Sequence, residues 1–208
     1  MSGGPFEVAL AGKTSETVEA GIDSGDFGVT QETGSMVNRA IKSGAGQGLG
    51  LGAAVGQRLL DSDCPYSEFS LLAQSVKLGR PATVHVALGT DVIHIHPEVD
   101  GAAVGQTCLT DFRTFASRVA QLEGGVLINL GSAVIMPEVF LKALTLVRNL
   151  GHKVKEFTTV NMDFMRQYRP TQNVVRRPTQ GGGQGFELIG HHEIMFPLLA
   201  AALIEAVG

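Results

Sequence analysis

Val126-Leu-Ile-Asn-Leu130 is a short, almost wholly apolar run, and Gly131-Ser132 follow it directly. Pro137 then opens a segment in which Val139, Leu141, Leu144 and Val147 recur at helical spacing, Gly151 ends it, and Phe157-Thr-Thr-Val160 is a second β-branched run. Strands buried on both faces need such continuous apolar sequence, proline suits the first helical turn, and glycine suits the position after the last. The stretch therefore reads strand, helix, strand. A helical crossover between two strands makes them parallel, and the crossover right-handed.

The same grammar extends outward. Upstream, Thr83-Val-His-Val-Ala-Leu88 after Pro81 reads as another buried strand, joined to Val126 through a helix from Asp111 to Leu122 that carries Phe112, Phe115, Val119 and Leu122 on one face. Further upstream, Phe6 to Ala11 reads as a strand and Thr14-Ser15-Glu16 as a capped helix start. Helical patterns continue from about Thr33 to Ser43, through Ala53, Val55, Leu59 and Leu60, and from Ser67 to Leu78. Downstream, the last helix runs from about His191 to Val207. The expected class is α/β: a mainly parallel sheet covered by helices on both faces, with strands 83–88, 126–130 and 157–160 as neighbours.

Composition narrows the function. The 208 residues are 44% apolar, and 16 Lys+Arg against 20 Asp+Glu leave a net charge of −4, so one domain around one core is expected. That balance gives no footprint for general nucleic-acid binding or for an anionic membrane. With only Cys64 and Cys108 and no CxxC, a disulfide scaffold and a four-cysteine zinc site are excluded, and a reducing cytoplasm fits. Met1-Ser-Gly-Gly-Pro5 has no export signal, and the apolar stretch Ile194 to Ile204, interrupted by Pro197, is too short to span a membrane. A small-molecule ligand is the expected partner.

Ligands of parallel sheets bind beyond the carboxyl ends of the strands, and four loops qualify. Gly89 to Gly101 packs Asp91, His94, His96, Glu98 and Asp100 together. His-x-His puts both imidazoles on one side of an extended segment, which suits a metal site or proton relay and equally suits structural hydrogen bonds. Gly131-Ser132 lies between a strand and a helix start, where backbone N–H groups favour an anion, or where glycine simply makes the turn. Asn161 to Gly183 carries Asp163, Arg166, Arg169, Arg176 and Arg177, and arginine forks suit phosphate or carboxylate. Gly190-His-His-Glu193 opens the last helix, with capping as the plainer reading. Adjacent strands ending at Leu130 and Val160 predict that Gly131-Ser132 and Arg166 or Arg169 converge on one anion. The glycine run Gly44 to Gly56 follows a helical pattern and not a strand, so it fails the test for a dinucleotide loop and is assigned to close helix packing. A metal-assisted hydrolase is the enzyme alternative, with His94, His96 and Asp100 holding a divalent metal that activates water and with His192 and Glu193 nearby. A non-catalytic ligand-binding or assembly subunit is the third reading.

At these four places the chain resembles bacterial relatives of deoxyhypusine synthase, through Thr83-Val-His-Val-Ala-Leu-Gly-Thr-Asp91, Gly131-Ser-Ala-Val-Ile-Met-Pro-Glu138, Thr158-Thr-Val-Asn-Met-Asp163 and Gly190-His-His-Glu-Ile-Met195. The resemblance covers nearly the whole chain and implies a Rossmann-like, NAD-binding fold. It implies that Thr90-Asp91 matches a cofactor- or substrate-binding pair, that Gly131 begins a glycine turn, and that Thr159 falls in a nucleotide-contacting turn. Together with the loops, the expected NAD contacts are Gly89, Thr90, Gly131, Ser132, Thr159, Asp163, Arg166 and Arg169, with Asp91, His94, His96, His192 and Glu193 left for chemistry; a polyamine-like ligand is the other possibility. The synthases carry an imine-forming lysine where this chain has His191-His192-Glu193, so lysine-dependent deoxyhypusine formation is expected to be absent. The resemblance further implies a homo-oligomer, tetrameric as the synthases are, and a shortened N-terminal region.

Overall fold

The computed structural model describes residues 31–208. The strand expected at Phe6 to Ala11 and the helix start at Thr14 lie outside the described residues. The chain divides into two compact units, Met1–Thr114 and Phe115–Gly208.

The first unit is helical in its described part. Helix α1 spans Gln31–Gly46, α2 Leu51–Leu60, α3 Leu71–Lys77, and α4, Gly101–Val119, crosses the unit boundary. Its core is built from Val37, Ile41, Leu51, Val55, Leu59 and Val104 among others, spaced so that each helix buries one stripe. The helix expected from Ser67 splits: a short 3-10 turn covers Ser67–Phe69, and Ser70, whose Oγ accepts from Ala73 N–H, caps α3. Helix α4 starts ten residues before the expected Asp111, because Asp100 Oδ1 accepts from the N–H groups of Ala102 and Ala103 at 3.0 and 3.1 Å.

Thr83 to Leu88 is not a strand. The Val84 N–H, which a ladder would use, donates instead to Asp111 Oδ2 at 2.8 Å. Asp111 is buried, and the same oxygen accepts from Gly52 N–H at 2.9 Å, at the start of α2. A Cβ at Gly50 would overlap this carboxylate and one at Gly52 the Ala82 carbonyl, so the glycine run serves close packing.

The second unit holds the sheet. β1, Val126–Leu130, leads through α5, Ile135–Asn149, to β2, Thr158–Asp163. A helical segment, α6 at Tyr168–Pro170 continuing as a π-helical turn over Thr171–Arg176, leads to β3, Gln184–Ile189, and α7, His192–Val207, ends the chain. The order is β1-β2-β3, all parallel, with Asn129 paired to Asn161 and Asn161 to Glu187. Strands β1 and β2 are therefore neighbours as expected, while α6 lies in what the sequence offers as one arginine-bearing loop and β3 in the unassigned stretch between that loop and the last helix.

Register and pleat divide the sheet into two unlike faces. One carries Asn129, Thr159, Asn161, Asp163 and Glu187, and it is covered: the carbonyl of Val175 in the π-helical turn presses so closely on Gly185 that a Cβ there would overlap it, and Asn173 bonds Glu138 of α5 at 2.8 Å. The other carries Val126, Ile128, Leu130, Phe186 and Leu188, all exposed, with only Met162 buried among them. Among the described residues of this unit, the covered face is the polar one.

Candidate functional site

Gly131 takes φ +65°, a conformation that favours glycine, and turns the chain out of β1. Its N–H donates to the Met162 carbonyl at 2.9 Å, and Gly190 N–H donates to the Asp163 carbonyl at 3.0 Å, so the three strand ends are tied side by side. Asn129 fixes the turn from below: its Nδ2 donates to the Ser132 carbonyl at 3.0 Å and to Asn161 Oδ1 at 2.8 Å. Ser132 Oγ in turn accepts from Met136 N–H at 3.2 Å, in the first turn of α5. From the far side α7 delivers His192, whose Nε2 would lie 3.2 Å from a Cβ on Gly131.

Three of the six buried side-chain atoms without a hydrogen-bond partner among the described residues belong to this cluster, Asn161 Nδ2 and both ring nitrogens of His192; a fourth, Thr159 Oγ1, lies on the same face two residues nearer the amino end of β2. Unpaired buried polar atoms are costly and few in folded proteins, so their concentration at the strand ends marks a place that a water or ligand atom would complete.

The charged groups nearby are spent on one another. Glu187 accepts from Thr171 Oγ1 and pairs with Arg166; Glu138 accepts from Asn173 Nδ2 and pairs with Arg169 at 3.4 Å; Arg177 donates to Asn173 Oδ1 at 2.7 Å. Arg166 and Arg169, expected to converge on an anion at Gly131, each hold a carboxylate of the chain in this structure. Asp163 Oδ1 accepts from Phe164 N–H at 2.8 Å, and Glu193 sits exposed in the first turn of α7. The spacing of Asn129, Asn161, Thr171, Asn173, Glu138 and Glu187 gave no motif; strand register aligns Asn129, Asn161 and Glu187, and hydrogen bonds from the helical segments join the others.

The expected site residues of the first unit make local contacts, with His94 Nε2 buried and unpartnered among the described residues. His94 Nδ1 accepts from the N–H groups of Gly89 and Asp91 at 3.2 and 3.3 Å, closing a capping box with Asp91, whose Oδ1 accepts from Ile93 N–H. Thr90 Oγ1 donates to the Ala87 carbonyl at 2.7 Å. His96 is buried with its ring over Gly34 of α1; Nδ1 accepts from Glu98 N–H at 3.2 Å and Nε2 meets Gln31 Oε1 at 3.2 Å. Glu98 is gripped by Arg39 through both oxygens, at 2.8 and 2.9 Å, and by Ser35 Oγ at 2.8 Å; those bonds, Arg39 foremost, hold its carboxyl at about 2. Asp100 is the cap of α4. Among the described residues, no three His, Cys, Asp or Glu side chains gather as a metal would need, and His94, His96 and Asp100 each serve local backbone instead. Burial pushes both cysteine thiols up, away from reactivity.

Compared with models of protein families, with curated proteins and with solved structures, the chain matches none. No described helix is long and apolar enough to cross a membrane.

Proposed function

We propose that this chain is a ligand-binding protein related to deoxyhypusine synthase, holding an NAD-like nucleotide at the carboxyl ends of β1 and β2 without lysine-dependent transfer chemistry. The observation that carries the reading is the set of unpartnered polar atoms on Asn161 and His192 near the left-handed turn at Gly131. Glu187 and Glu138 already pair with Arg166 and Arg169, and the unpartnered buried groups left to meet a ligand are an amide and an imidazole. Such groups suit the ribose and carboxamide of a nicotinamide nucleotide. The segment Gly190 to Ile194 contains no lysine to form an imine.

Calorimetric titration with NAD+ and NADH tests this. Saturable binding is expected, weakened about 5- to 150-fold by His192→Ala, the loss of one hydrogen bond at roughly 1–3 kcal/mol. Absence of heat with either nucleotide, or equal affinity in the variant, refutes it.

A further inference from the structure

Helices α1 and α2 are joined only by the short link Gln47 to Gly50 and so run antiparallel, side by side, within the first unit. Gly44 fixes where they meet: a Cβ there would overlap that of Ala54, so the two backbones touch at this point. One helical turn back along α1 and one forward along α2, Ala40 comes opposite Arg58, with Arg39 beside it. Between the helices lies a groove of about 310 Å³. Its floor is made of small buried residues, Ala40, Gly44 and Ala54, which is why the space exists.

The rim is polar, and its donors and acceptors are sorted. Arg39 is held in advance: Glu98 takes its Nε and Nη2 and is itself held by Ser35 Oγ, which leaves both N–H groups of Nη1 without a partner among the described residues. Arg58 forms no ion pair among the described residues. Gln47 and Gln57 donate their amide N–H groups to Ser43 Oγ at 3.0 Å and Asp61 Oδ1 at 2.9 Å, so their carbonyl oxygens and Asp61 Oδ2 are left to accept. No aromatic ring lines the groove to stack a nucleobase.

We propose that this groove binds a small organic phosphate bearing hydroxyl groups, of about the size of a five-carbon sugar phosphate. The phosphate lies between Arg39 and Arg58, whose forked N–H groups match its oxygens, and the hydroxyls donate to the Gln47, Gln57 and Asp61 oxygens. The volume stands at the lower end of ligand pockets, roughly 300–1,000 Å³, as a ligand of this size requires. Glu98 and Asp61 offset the charge of the two arginines, so there is no broad positive field to hold a simple ion, and the hydroxyl contacts are needed as well. An organic phosphate should therefore bind more tightly than inorganic phosphate.

Calorimetric titration of the full chain with ribose 5-phosphate, inorganic phosphate and ribose tests this. Saturable binding of ribose 5-phosphate is expected, tighter than that of inorganic phosphate, with no heat from ribose at the same concentrations. Arg58→Gln should weaken it about 10- to 150-fold, the loss of one charge-assisted hydrogen bond, and Arg39→Gln should act in the same direction; both side chains are mostly solvent-exposed, and unchanged circular dichroism checks the fold. His192→Ala should leave this binding unchanged, which separates it from the site at the strand ends. The proposal is overturned by absence of saturable binding, the result expected if an acidic group of the chain itself fills the groove. It is equally overturned by equal affinity in Arg58→Gln, by ribose or inorganic phosphate binding as tightly as ribose 5-phosphate, or by loss of binding in His192→Ala.

Discussion

Replacing Asp111 by alanine is expected to cost about 4 kcal/mol of stability, within a range of roughly 2–6 set by stranding two buried N–H donors at 1–3 each. Those donors, Gly52 and Val84, share the single oxygen Oδ2 at 2.9 and 2.8 Å. Asp111→Asn can keep an oxygen in that position, but its amide then faces the backbone of Gly50 and Leu51, where the Leu51 N–H also favours the carboxylate. A smaller loss of about 1–2 kcal/mol follows. The two variants also differ from wild type in pH response. Burial pushes the Asp111 carboxyl above its ordinary value, against the opposing pull of its N–H donors and His85. The folded chain therefore holds this proton to higher pH than the unfolded chain does, and this contribution to stability falls as pH rises from the ordinary aspartate range through the raised value. Both substitutions should remove that slope. Urea unfolding across pH, followed by far-ultraviolet circular dichroism because the chain has no tryptophan, measures all three quantities. A loss below about 0.5 kcal/mol for Asp111→Ala would mean that water satisfies these donors and that the carboxylate does not organise the loop.

Two further outcomes follow from the first unit. Gly34→Ala places a methyl into the ring of buried His96 and should cost about 1–3 kcal/mol by overpacking, read from the urea midpoint. Glu98 is held at about 2 against an ordinary 4.5, so its contribution to stability is present above pH 4.5 and is lost as pH falls toward 2. Glu98→Gln should flatten that part of the acid limb, and an unchanged acid profile would discount the Arg39–Ser35–Glu98 contact.

The strand–turn–helix–strand reading of residues 126–160 held because local pattern and tertiary role agree there: apolar strands, a glycine turn and a prolyl helix start each specify one local structure. Thr83 to Leu88 misled because its apolar run is identical in kind to a strand, and only a side chain distant in sequence, Asp111, decides where its N–H goes. The third strand escaped because Glu187 and the flanking glycines disguised it, although Phe186 and Leu188 alternate at the strand period. Histidines at 94 and 96 looked like ligands because sequence shows which residues are near but not which backbone groups already occupy them. At the strand ends, Gly131, Asp163 and His192 were legible as loop residues. The Asn129–Asn161 pair was not, since it exists only through the register of two strands.

The order β1-β2-β3 follows the order of the chain, and this has a kinetic meaning. The crossovers 131–157 and 164–183 are close in length, so their closure costs differ by only about 0.3 kcal/mol, and neither strand pairing gains a large advantage from chain entropy. During synthesis the first ladder can close while β3 is still being made, and α7, the most apolar stretch of the unit, leaves the ribosome only after all three strands. The segment best able to drive misassociation thus appears when the surface it could compete for has already taken shape. Moving α7 ahead of β1 by circular permutation should therefore raise aggregation during refolding, as light scattering would record, and a permuted chain that refolds as cleanly as the natural order would remove this role for chain order.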